Sequence, residues 1–245
     1  MSPIRVRLAA VLAAGALLAV AAPTAAVAAE RPARERLRSE STERPTDLET
    51  ARRRCLAAVD KRLTDLGNAA DRLAAARHVT DAHEADLAAI LDRTAAGLEA
   101  LIPDINAAAD MATLKTTCRS MFVDFRVYAL VLPRTRLVVA ADVAVAGAGK
   151  LDNVADRLES AIERAAADGH DTAEAEDKLA EMRDEIDSAR DAAASVPGSI
   201  MGLTPADWNA DHEVLTPARR ALRSARTDLR DARRLAGEVK AGLHV

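Results

Sequence analysis

Four oxygen-bearing side chains stand at alternate positions in Asp207-Trp-Asn209-Ala-Asp211-His-Glu213. That is the spacing with which a loop turns its oxygens onto a hard cation such as calcium. The pattern then stops short. His212 stands where such a loop needs glycine for its sharp turn, and Ala218 where it needs a closing bidentate glutamate. Asp207, Asn209, Asp211 and Glu213 are therefore only weak calcium candidates, and read better as turn and cap residues around the single tryptophan, Trp208.

The other chemistry-bearing groups can be taken in turn. Gly147-Ala-Gly-Lys150 has the glycines and lysine of a phosphate loop, but Ala144 replaces the first glycine and Leu151 the hydroxyl that would hold magnesium. A di-iron bundle needs Glu-x-x-His on two helices. None of His78, His83, His170, His212 and His244 has an acidic residue three positions earlier, so these read as surface histidines. Asp124 and Tyr128 lie one helical turn apart, but no nucleophile or histidine accompanies them. The simpler reading is a core tyrosine whose hydroxyl bonds to Asp124 or to backbone. Arg219, Arg223, Arg226, Arg230 and Arg233 form a stripe that could grip phosphates, yet the chain is acidic overall, with a formal charge of -4. No catalytic residue, cofactor, metal or nucleic-acid partner is expected from this set.

The two cysteines, Cys55 and Cys118, depend on the compartment. Arg5 and Arg7 precede an apolar run from Leu8 to Val20, and Pro23 and Ala26-Val-Ala28-Ala29 complete a signal peptide over 1–29. The run is too short for the roughly 20 residues that span a bilayer. An exported chain meets an oxidising environment, where an even cysteine count favours a bond. Cys55–Cys118 is the predicted disulfide, and a secreted, extracellular or cell-envelope location is expected.

Behind these residues stand elements of helical period. Residues 30–46 are nearly all charge and proline, and are predicted to be a disordered leader. Leu56, Val59, Leu63, Leu66, Ala70 and Leu73 then alternate in steps of three and four, a helical stripe beginning after a cap at Asp47. Thr80, Asp81 and Glu84 resemble a capping box for a second helix with Leu87, Leu91, Leu98, Leu101 and Ile105, weakened at its end by Pro103. Asp110 opens a third, carrying Leu114, Cys118, Met121, Phe125, Tyr128 and Leu132. Both cysteines stand eight residues beyond a cap, so parallel first and third helices bring them to one height.

Phe122, Phe125 and Tyr128 crowd into seven residues of a chain otherwise nearly free of aromatics, and with Trp208 they are the predicted core or interface anchors. The stripe changes phase at Pro133, where Leu137 follows Leu132 by five. This predicts a helix kinked at Pro133, with Phe125, Tyr128 and Leu132 facing one bundle and Leu137, Ala141 and Ala144 another. A hairpin over 123–145 is the rival reading. Gly147 and Gly149 mark a second candidate break. Gly169 is placed to end this segment, Asp171-Thr-Ala-Glu174 to cap the next, and Pro197-Gly198 to stop it. The last helix carries Leu215, Leu222, Leu229 and Leu243, the cleanest heptad of the chain. Residues 171–191 are strongly acidic and 217–240 strongly basic, so these two helices are expected to lie antiparallel with paired charges.

The predicted fold is all-α: antiparallel helical bundles in two three-helix units, 47–133 and 134–245, sharing a long helix kinked at Pro133. As an architecture this resembles spectrin repeats. At Asp124-Phe-Arg-Val-Tyr-Ala-Leu-Val-Leu-Pro133 and Pro205-Ala-Asp-Trp-Asn-Ala-Asp-His212 the chain also resembles a group of uncharacterised, exported, alanine-rich helical proteins of actinobacteria. That resemblance covers roughly 110–240 and implies export and helicity only.

The functional expectation is an exported, non-enzymatic helical spacer or interaction protein that meets a protein or cell-wall component. The alternatives are a membrane-active protein inserting through the apolar 121–148 stretch, which Arg126, Arg134, Arg136 and Asp142 interrupt, and the calcium-binding module above.

Overall fold

The computed structural model describes residues 47–243. The predicted signal peptide, the predicted leader over 30–46 and His244 lie outside them. The protein is all-α, and no strand occurs among the described residues. In chain order the helices are α1 (Leu48–Ala74), α2 (Asp81–Ala107), α3 (Met111–Val123), a π turn (Val127–Val131), α4 (Leu132–Ala167), α5 (Ala173–Ile200), the short α6 (Pro205–Ala210) and α7 (Thr216–Gly242).

Most helix starts follow from side chains that satisfy otherwise unpaired N–H groups. Asp47 accepts from Glu49 N, Thr80 Oγ1 from His83 N and Asp110 Oδ1 from Thr113 N. The capping box expected at Thr80–Glu84 is completed differently, because Thr80 N donates to Asp142 of α4 at 3.0 Å. Gly169 ends α4 at φ 87, a left-handed conformation that suits glycine. Pro103, expected to weaken the end of α2, lies four residues before its last residue, Ala107. The stop predicted at Pro197-Gly198 does not act, because Pro197 lies inside α5, which runs on to Ile200. α4 likewise passes unbroken through Gly147 and Gly149. At Gly147 a Cβ would stand 3.6 Å from Leu229 of α7, an ordinary packing contact.

The middle of the chain departs most from its pattern. Residues 123–145 are helical rather than a hairpin, but the break lies at Asp124–Arg126, not at Pro133. Arg126 takes left-handed φ 44, and the chain restarts with Val131 N and Leu132 N reaching five residues back, to Arg126 O and Val127 O. Pro133 follows at the start of α4. A first-turn proline costs little, because its missing N–H lies beside a turn already loosened. The five-residue step from Leu132 to Leu137 thus lies beside a π turn rather than a kink.

Two groups of buried side chains form the interior. One joins Val59, Leu66, Leu87, Leu91, Leu98, Leu114 and Met121 of α1–α3 with Leu130, Val138 and Ala141, and also with Val196, Ile200, Leu215 and Leu222 from the facing ends of α5 and α7. The other joins Ala144, Ala148, Leu151 and Ile162 of α4 with Met182 and Ile186 of α5 and Leu229 and Val239 of α7. The changeover falls between Ala141 and Ala144. Leu137 and Ala141 therefore face the first group, contrary to the expectation from Pro133, because the π turn carries that group's face one turn further along α4. Residues 47–243 belong to one compact unit.

Cys55 and Cys118 are bonded, with Cα atoms 6.0 Å apart, where parallel α1 and α3 hold them. α5 and α7 are antiparallel, and the early turns of α5 meet the late turns of α7 through Lys178–Glu238 at 3.2 Å. Most inter-helix charge pairing instead joins α5 to α4, through Arg183–Glu159 at 2.7 Å, Arg183–Asp156 at 3.7 Å and Arg190–Asp152. Arg219, Arg223, Arg226, Arg230 and Arg233 are exposed and have no ion pair among the described residues. The apolar seam, with many alanines, packs α5 on α7 and leaves those arginines pointing away.

Candidate binding groove

The predicted calcium ligands do not converge. Asp207 closes a capping box with Thr204 at the start of α6, and Asp211 accepts from Glu213 N at 2.8 Å. Glu213 accepts from the Thr216 hydroxyl. Asn209 accepts from Arg126 Nε at 2.6 Å and donates to Val123 O at 3.1 Å, clamping the break before the π turn. Each of the four side chains is engaged in a cap, a turn or this clamp. No cluster of acidic, histidine or cysteine residues with metal-holding geometry occurs among the described residues. Trp208 is half-buried against the first core group, as an anchor should be.

The other aromatics divide. Phe125 packs onto the first group, its ring against Gly97 of α2. Phe122 and Tyr128 are not core residues: they are 49% and 43% exposed. The reason is Arg62 of α1, itself buried, whose guanidinium carbon lies 4.4 Å from the Phe122 ring centre and 5.0 Å from that of Tyr128. Two rings cover one cation, an arrangement favoured by the ring quadrupole. The Tyr128 hydroxyl donates to Asp65 at 2.7 Å, not to Asp124, and Lys61 reaches the same carboxylate oxygen at 3.0 Å. The Tyr128 and Lys61 bonds hold the Asp65 carboxyl below its usual range, while burial and Asp65 push the Tyr128 phenol up.

This cluster stands at one end of a groove of about 590 Å³ between α1, α4 and α7. Its floor is the α4 face made of two adjacent rows, Leu132, Val139 and Val143 beside Ala140, Ala144 and Gly147, spaced within each row by three, four or seven along one side of the helix. Leu73 of α1 and Leu229 of α7 complete the apolar lining. Val143 is 46% exposed, although it is a large apolar residue in mid-helix. Around this floor stand Arg72 of α1, Arg136 of α4, and Arg226 and Arg233 of α7, with Asp65 the one acidic residue. None of the four arginines makes an ion pair or side-chain hydrogen bond among the described residues. Asp65 is already engaged, so the groove has a positive rim over an apolar base.

The arginine stripe of α7 was visible in the sequence, but its groove was not, because the floor and the rim come from three helices far apart in the chain. The available signal was the excess of arginine over acid on α7 and the valine-dense run 138–145, apolar on more faces than one core needs.

No protein-family model, curated protein or solved structure matches this chain.

Proposed function

We propose that the protein is an exported, non-enzymatic helical interaction protein of the cell envelope or extracellular space, which works by binding at the groove between α1, α4 and α7. The observation that carries this is the groove's lining: an apolar floor beneath four arginines without acidic partners. Guanidinium groups stay charged at any physiological pH and donate hydrogen bonds without accepting them. Such a rim attracts and orients an anionic group and supplies neither a nucleophile nor a base. A volume of about 590 Å³ falls within the roughly 300–1,000 Å³ of small-molecule sites. Export is supported by the charge and apolar pattern of residues 1–29 and by the disulfide.

Titration with anilinonaphthalene sulfonate, a small anionic apolar dye, tests the binding reading. One saturable site is expected, lost when Val143→Trp fills the floor, with helical circular dichroism unchanged. Absence of saturable binding would remove the groove as the working surface. The membrane-active alternative draws on the exposed Phe122, Tyr128 and Val143. It also requires Val127, Leu130, Val131, Val138 and Ala141 to leave the first core group, and release of dye from liposomes would favour it.

A further inference from the structure

Resting on the binding reading of the groove, we propose that its ligand is a free long-chain fatty acid, held as the carboxylate by the arginine rim with its single acyl chain along α4. Three quantities select this occupant. The floor from Leu132 to Gly147 covers fifteen helical steps, about 22 Å at 1.5 Å each, so the groove is long and suits an extended chain. Its volume of about 590 Å³, at roughly 30 Å³ per water-sized group, holds about 20 heavy atoms. That is one long acyl chain with a small head, whereas a two-chain membrane lipid is more than twice as large. A helical peptide of the same length and about 10 Å diameter would occupy roughly 1,700 Å³ and stand mostly outside the groove.

Charge supplies the fourth argument. Arg226 and Arg233 are seven residues apart on one face of α7 with Leu229 between them, so both guanidiniums flank the same apolar position. Arg72 and Arg136 stand on the other two helices of the groove. A carboxylate accepts two parallel hydrogen bonds from a guanidinium fork. A cationic head would be repelled by the four arginines, and a neutral one would gain no charge-assisted hydrogen bond from them.

The test is displacement of bound anilinonaphthalene sulfonate from the full-length protein by hexadecanoate, kept below its micelle concentration. One-to-one displacement is expected, with octanoate weaker by about a hundredfold or more for the methylene groups it no longer buries. The double variant Arg226→Glu/Arg233→Glu should lose hexadecanoate binding at least tenfold, while Arg219→Glu/Arg230→Glu, on the same helix but outside the groove lining, should keep it. If the dye binds and hexadecanoate does not displace it, the fatty-acid assignment is wrong and the groove remains a binding site. Equal displacement by hexadecyltrimethylammonium, or by an acidic helical peptide in place of hexadecanoate, would also overturn it. So would unchanged affinity in Arg226→Glu/Arg233→Glu.

Discussion

Asp142 ties the start of α2 to the middle of α4. It is 7% exposed, lies on α4, and accepts from Thr80 N at 3.0 Å while His83 Nδ1 stands 2.9 Å from its oxygens. A buried carboxylate persists only when its lone pairs are satisfied, and here the donors come from the start of α2. Asp142 supplies the acceptor that a glutamate at the third position of α2, where His83 stands, would supply in an ordinary capping box. Asp142→Ala leaves Thr80 N and His83 without their partner, and is expected to cost about 1–3 kcal/mol in urea unfolding. Asp142→Asn keeps an acceptor for Thr80 N and should cost less. Equal stability of both variants and the parent would show that the α2 start is held by Thr80 Oγ1 alone.

Among the elements, α2 carries a glycine whose role is steric. Gly97 lies in mid-helix, where alanine would ordinarily stabilise by about 1 kcal/mol. A Cβ there would overlap Phe125 Cε1, and the ring is tied to the turn between α3 and the π turn. Overpacking of this kind costs about 1–3 kcal/mol, so the clash exceeds the propensity gain. Gly97→Ala is expected to destabilise the protein, and Phe125→Leu in the same chain should recover much of the loss, which a double-mutant cycle would read as coupling. An additive pair would mean that the ring does not rest on Gly97. The same turn explains Arg126: its left-handed backbone is a strained choice for a side chain, and Asn209 holds both its guanidinium and the carbonyl of Val123.

For the whole molecule, the disulfide restrains the group of helices that has the fewest charged ties. Cys55 and Cys118 are separated by 63 residues, enclosing all of α2. Closing a loop of that size in the unfolded chain contributes about 2–4 kcal/mol. The α4–α5–α7 end has no such bond, but it holds the inter-helix ion pairs of Arg183, Arg190 and Lys178. Reduction, or Cys55→Ala/Cys118→Ala, should therefore lower the stability and expose the amides of α1–α3 to hydrogen exchange before those of α5 and α7. Thiol titration of the untreated protein should find no free cysteine. Two titrating thiols, or uniform exchange after reduction, would contradict this division.

The periodicity of apolar residues determined the helices, because a three-and-four alternation can be buried only on a helix. The caps at Asp47, Thr80 and Asp110 and the end at Gly169 were legible for a local reason: each satisfies backbone groups within a few residues of itself. The disulfide was legible from two cysteines at equal distances from two caps. Tertiary structure decided everything that depended on distant partners. The phase change beside Pro133 was plain in the sequence, but its form, a left-handed Arg126 followed by a π turn, rests on Asn209 more than eighty residues away. Phe122 and Tyr128 looked like core by type, and became lids because a buried arginine on α1 lies beneath them. The groove needed three helices at once, and no stretch of the chain contains enough of it to be read alone.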